Sequence, residues 1–213
     1  MNKFSPNSSV IRTEDPRFLK GDGEYIDDIN LEGQLYGHMI RSPHAHAKIN
    51  SIDISAAKKA PGVVDVLTGA DYLAAGLGAM PHSLSALPTF DPETIYPAVH
   101  YPLASDLVRY VGDGVVFIIS ETKSQAQDAG ELIEIDYDIL DAIVGPGQAI
   151  AKGAPLVRED CPNNIAYEFH QGEQDAVNDA FASAAHVVKH QILINRLTAS
   201  PMETRGVVAG YNA

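Results

Sequence analysis

The chain has one cysteine, Cys161, among 213 residues. It therefore cannot form an internal disulfide, and one thiolate cannot hold an iron–sulfur cluster or a cysteine-rich zinc site. Basic residues are scarce as well: 15 Lys and Arg stand against 28 Asp and Glu, a net charge of −13. Nucleic acid and anionic membrane surfaces both call for a basic face, so neither is an expected partner. Long apolar runs are missing, and the stretch from Val115 to Ile119 is far too short to span a bilayer. The opening Met1-Asn2-Lys3-Phe4-Ser5-Pro6 has no apolar core of a signal peptide, which makes the cytoplasm the expected location. Internal repeats and low-complexity tracts are absent too.

What remains is an ordinary globular composition, 45% hydrophobic and 20% charged. A chain of this length buries roughly 70% of its unfolded surface and needs no metal or disulfide to fold. The residues before about Glu24 are polar and punctuated by Pro and Gly, and read as an extended arm. Period-two alternation predicts strands over 34–41 and 48–54, with further strands over 63–67 and 115–119. Ser55 is placed to cap a short helix before Pro61-Gly62, and residues 70–75 predict another. Thr122 and Gln125 have capping-box spacing, and Ala126, Ala129 and Ile133 follow at helical spacing. With Glu134-Ile135-Asp136-Tyr137 as the next strand, residues 115–137 read as a right-handed βαβ unit.

Val144-Gly145-Pro146-Gly147 marks an expected domain boundary. Beyond it the pattern predicts a strand over 165–170, a helix carrying Ala176, Val177, Ala180, Phe181 and Ala184, and strands over 187–197 and 206–211. Two or three strands and one helix are marginal alone, so this part is expected to complete its fold against further polypeptide. Residues Gly76 to Leu103 lack periodicity and contain prolines 81, 88, 92, 97 and 102. A structureless segment of that size is a candidate partner contact.

Residues that could carry chemistry are few. His44 and His46 share a face if their segment is extended, and with His38 they could chelate a metal; backbone hydrogen bonding is the favoured alternative. Gly21-Asp22-Gly23 lacks the helix and lysine of a phosphate loop, and Tyr110-Val111-Gly112-Asp113-Gly114 precedes a strand where a dinucleotide loop would follow one. No Ser or Cys stands in a nucleophile motif, and Cys161 before Pro162 reads as a loop cysteine. No residue is assigned a catalytic, cofactor-binding or metal-ligating role.

Seven segments, in order, resemble the molybdenum-cofactor-binding large subunit of the xanthine dehydrogenase, aldehyde oxidase and carbon monoxide dehydrogenase family. They run from Arg12 to Gly21, Tyr25 to Ile29, Arg41 to Ala47, Pro61 to Val64, Arg109 to Asp113, Ala129 to Tyr137 and Pro201 to Gly206. The bacterial carbon monoxide dehydrogenase-like branch is the most similar in pattern. Gly114 and Thr204 stand where that branch commonly has proline, which leaves the substrate open among aldehyde, N-heterocycle and carbon monoxide types.

The resemblance implies a mixed α/β fold: an extended arm over 1–19, an α/β hammerhead domain over 20–142, and the start of a molybdopterin-binding domain over 143–213. It implies hydroxylation of a carbon centre with water-derived oxygen at a molybdenum–pterin site, with [2Fe–2S] clusters and FAD on partner subunits. The family's cofactor loops and base match nothing before Ala213, so the chain is expected to be a split subunit or fragment, inactive alone. Its partners would be the remaining molybdopterin-binding portion, an FAD-binding medium subunit and a [2Fe–2S] small subunit. Glu203 falls in a family motif, and an ion pair with Arg205 or a neighbour is its expected role. The rival reading is a stand-alone, non-catalytic hammerhead-fold module.

Overall fold

The computed structural model describes residues 12–81, 96, 98–169 and 171–211. They fall into two compact units, Leu35–His186 and the pair of segments Met1–Gln34 with Val187–Ala213. In the first unit, β1 (Tyr36–Arg41), β3 (Val63–Thr68) and β5 (Gly114–Ser120) form an antiparallel sheet with β5 in the middle. A second antiparallel sheet places β2 (Ala47–Asp53) between β4 (Leu107–Val108) and β6 (Glu134–Ile139). Helix α3 (Lys123–Gly130) packs on the first sheet against β1 and β5.

The core follows from the apolar pattern. Val115, Val116 and Ile118 of β5 are fully buried, with Val66 of β3, Ala47 of β2, Val108 of β4 and Ala126 and Ala129 of α3. Side chains such as Val and Ile each contribute about 1.5–3 kcal/mol when removed from water. Thr122 caps α3 as the spacing predicts, its hydroxyl accepting from the Gln125 amide. Thr68 caps α2 (Gly69–Ala74) the same way, while Asp71 accepts from the Thr68 amide and hydroxyl. Those bonds hold the Asp71 carboxyl below its ordinary range. The short helix expected after Ser55 forms as a 3-10 segment, Ala57–Lys59, whose N-cap is Ala56 without a side-chain bond, so Ser55 is not its cap.

The βαβ reading is wrong. β5 and β6 flank α3 in sequence but lie in different sheets, β5 antiparallel to β1 and β3, β6 antiparallel to β2. The reason is visible in β6 itself. Its alternating exposure suits a half-exposed antiparallel strand, whereas a parallel neighbour of β5 would be apolar throughout. The polar arm also contains a short helix, α1 (Asp15–Leu19), with Pro16 in its first turn.

The strands expected over 187–197 and 206–211 do not form, nor does one over 165–169; residue 170 lies outside the described residues. Strand hydrogen bonds need a neighbour, and none is present there among the described residues. After the short α4 (Pro146–Ala149), helix α5 (Gln174–Ser183) forms where predicted, but its apolar stripe is open, with Val177 and Phe181 exposed. Of the aperiodic stretch 76–103, residues 82–95 and 97 lie outside the described residues. The Met80 amide donates to His100 O at 2.8 Å and closes the stretch at its neck. No helix among the described residues is long and apolar enough to cross a membrane.

Two stability outcomes follow. A Cβ added at Gly69 would lie 2.5 Å from the Ala104 carbonyl oxygen and 2.8 Å from Ser105 Cα, both backbone atoms that cannot swing aside. Gly69→Ala should therefore destabilise by about 1–3 kcal/mol in urea unfolding, an overpacking cost. Acid titration tests the Asp71 cap. Because its folded pKa is depressed, its contribution is complete above the unfolded value and is lost as pH falls through the folded one. The Thr68 amide resonance should titrate with a midpoint below that of an ordinary aspartate, and Asp71→Asn should abolish the transition.

Candidate functional site

Polar residues converge at one place in the larger unit, where the segment from Arg41 to Ala47 meets the turn before β5. The Ser42 amide donates to Asp113 O and the Gly112 amide to Ser42 O, each at 2.8 Å, and Arg41 Nη1 donates to Gly112 O at 2.9 Å. Gly112 turns with φ +93°, a conformation few side chains accept. Asp113 is buried, and its Oδ2 accepts from the Arg109 amide at 3.1 Å. The buried Ser42 hydroxyl donates to His44 O and accepts from the His44 amide, both at 3.0 Å. This exchange folds the Ser42-Pro43-His44 turn upon itself.

Two tyrosines border the knot. Burial, then the Asp113 carboxylate, pushes the Tyr110 phenol up, and its hydroxyl lies 3.2 Å from His100 Nε2. The Tyr137 phenol is raised mainly by desolvation. Its buried hydroxyl has no hydrogen-bond partner among the described residues, although neighbouring Ser42 offsets part of the rise. The His44 ring meets Tyr137 edge-on, with centroids 5.0 Å apart.

The histidines that could share a metal go to different surroundings. His44 packs on Tyr137, His46 Nδ1 bonds Asp141 O at 2.8 Å, and His38 sits on β1 opposite Ile118. Among the described residues, no group of three His, Cys, Asp or Glu side chains could hold a metal ion. Cys161 is buried in a turn. Gly21 and Asp22 close α1 by backbone bonds to Phe18 and Arg17.

In the smaller unit a groove of about 430 Å³ runs between residues 25–28 and 202–206. The Ile26 amide donates to Glu203 Oε1 at 3.2 Å, so Glu203 ties the two segments together by a backbone bond, and the ion pair expected with Arg205 or a neighbour is not seen among the described residues. Asp28 is likewise engaged, accepting from the Tyr25 amide at 2.9 Å. Asp27, Asp28 and Glu203 line the groove against one cation, Arg205. That excess of carboxylates does not fit an anionic, phosphate-bearing pterin, and no step of chemistry is assigned to these residues.

Sequence reasoning placed Ser42, Asp113 and Tyr137 inside family-like segments without giving them a role. The signal that joins them is spatial, since 95 positions separate Ser42 from Tyr137. Because the buried Tyr137 hydroxyl lacks a partner among the described residues, Tyr137→Phe should be neutral or stabilise by up to about 1 kcal/mol. Ser42→Ala, which strands the His44 amide, should cost about 1–3 kcal/mol. Urea midpoints of the two variants on one day give the comparison.

Similarity to known proteins covers nearly all of the chain. Residues 20–141 match the aldehyde oxidase and xanthine dehydrogenase a/b hammerhead domain, and residues 157–213 match the molybdopterin cofactor-binding domain. The chain is 38% identical to the nicotine 6-hydroxylase large subunit of Paenarthrobacter nicotinovorans, over 95% of this chain and 24% of that protein. It is 37% identical to the carbon monoxide dehydrogenase large chain of Afipia carboxidovorans, over 94% and 25% respectively. The solved structure of quinoline 2-oxidoreductase from Pseudomonas putida 86 superposes with a TM-score of 0.71 at 34% identity, covering 86% of this chain and 22% of that one. The chain thus spans about a quarter of the length of the curated relatives it matches. The hammerhead match extends over more than half of the 213 residues, and the chain belongs to the aldehyde oxidase and xanthine dehydrogenase family.

Proposed function

We propose that this chain is the scaffold and partner-contact portion of a molybdenum hydroxylase large subunit. In this reading residues 1–19 are an arm, 20–142 the hammerhead domain, and 143–213 the opening of the molybdopterin-binding domain. The assembled enzyme hydroxylates a carbon centre with oxygen from water, and none of the residues described above is catalytic, cofactor-binding or metal-ligating. The molybdenum–pterin group sits in the remaining part of the large subunit. FAD and [2Fe–2S] clusters reside on medium and small subunits, in the cytoplasm. Relatives named for nicotine, carbon monoxide and quinoline leave the substrate class open for this chain.

The observation that carries the proposal is the exposure of apolar side chains along residues 187–211. Val188, Leu193, Ile194 and Leu197 are each 84–93% exposed, although they fall in the stretch 187–197 expected to be a strand. Apolar surface in a run of this kind marks an interface, and the match of residues 157–213 to a molybdopterin cofactor-binding domain supports further polypeptide of that domain as its cover. A stand-alone binding module draws on a different observation, the closed core of residues 35–186.

Affinity capture of the chain from its native cell separates the two. The scaffold reading expects a stoichiometric complex containing molybdenum, flavin and iron, and no molybdenum in the chain purified alone. Stoichiometric molybdenum in the isolated chain, by elemental analysis, overturns it. Capture without any redox partner favours the module.

A further inference from the structure

Between the end of the hammerhead match and the start of the cofactor-domain match lie residues 142–156, which a flexible linker would suit. They are tied down by one side chain. Asn164 Oδ1 accepts from the Val157 amide at 2.8 Å, while Asn164 Nδ2 donates to Ala149 O and to Pro155 O, each at 2.9 Å. Both amide hydrogens and the amide oxygen are thus spent on three separate points of the backbone. The primary amide is well suited to this, since it offers two donors and an acceptor on one planar group.

The backbone is shaped to deliver that side chain. Asn163 and Asn164 both lie in the left-handed region, at φ 55° and 58°, and they are the only non-glycine residues with positive φ among the described residues. Such conformations cost free energy for an L-residue, and asparagine tolerates them better than most. The strain is therefore held by the contacts it makes possible. Cys161 lies inside the same turn, buried to 6% exposure, with its amide on Arg158 O and its carbonyl accepting from the Asn164 amide. One residue beyond Ile165, the Ala166 carbonyl accepts from the Tyr96 amide at 2.9 Å.

We infer that Asn164 is a strap that converts the connection between the two matched segments into a closed loop, and that this loop opens as a unit separately from the hammerhead core. Its few partners are local hydrogen bonds, partly exposed, while the core rests on fully buried apolar side chains. Elements of that kind open at lower free energy than the fold around them. The inference is independent of the cofactor and of the identity of any partner.

The chain carries its own reporter, since Cys161 is its only thiol and is buried in the turn that carries Asn164. Native-state labelling with Ellman's reagent, on the full chain, reads the opening directly. Asn164→Gly accepts the backbone geometry but loses all three bonds, and should speed labelling at least 10-fold. Asn164→Ala should do the same or more. Asn163→Gly relieves strain while leaving the bonds intact and should label no faster than the parent. Hydrogen exchange of the β5 amides should be unchanged in all three. A labelling rate for Asn164→Gly within twofold of the parent overturns the strap. So does an equal acceleration in Asn163→Gly, or a matching loss of β5 protection, which would make labelling a report of global unfolding.

Discussion

Burial of a single strand organises the larger unit. β5 is covered along its whole length, flanked by β1 and β3 and capped on one face by α3. A strand with Val115, Val116 and Ile118 removed from water cannot slip by one residue without exchanging its faces. That fixes the register of both neighbours and, through the turn at Gly112 and Asp113, the position of the Ser42 knot. The knot in turn carries the chain from β1 into β2, and so connects the two sheets. One apolar strand thereby determines where a set of polar residues meets.

Local chemistry accounts for what was legible in advance. Of the five strands of six or more residues in this unit, β1 and β2 announce themselves by alternation and β5 by its unbroken apolar run, because each signal reflects how many faces are buried. The cap at Thr122 was equally readable, since it depends on residues three apart, whereas the equivalent cap at Thr68 emerged only with the structure. Sheet membership was not. Whether β5 and β6 share a sheet depends on which distant strand competes for β6, and β2 wins by matching its alternation. β4, two residues long, carries no pattern of its own and exists because β2 is there to pair with it.

The polar sites divide in the same manner. His44 and His46 stand out in the sequence because histidine pairs at that spacing can chelate, yet their rings are claimed by Tyr137 and Asp141 from 93 and 95 positions away. Asp113 and Ser42, unremarked as single letters, matter because folding buries them against each other's backbone. Asn164 is harder still to read. Its neighbour Asn163 has the same side chain and nearly the same φ, but it is exposed and makes none of those three bonds. Residue type and propensity are equal at the two positions; only the loop's closure separates them.

The contrast between the units bears on how far each is self-determined. In the two sheets and α3, apolar spacing and apolar burial coincide, so the sequence pattern is satisfied there. Along 187–211 the same kind of spacing leads to side chains left in water and to no strand at all. Propensity is therefore not what differs. Strand-forming residues lower free energy only when a neighbour supplies hydrogen bonds and a surface supplies contacts, and no strand forms along 187–211 among the described residues. A segment with strand-forming residues and no neighbouring strand reads as core in sequence and as surface in structure.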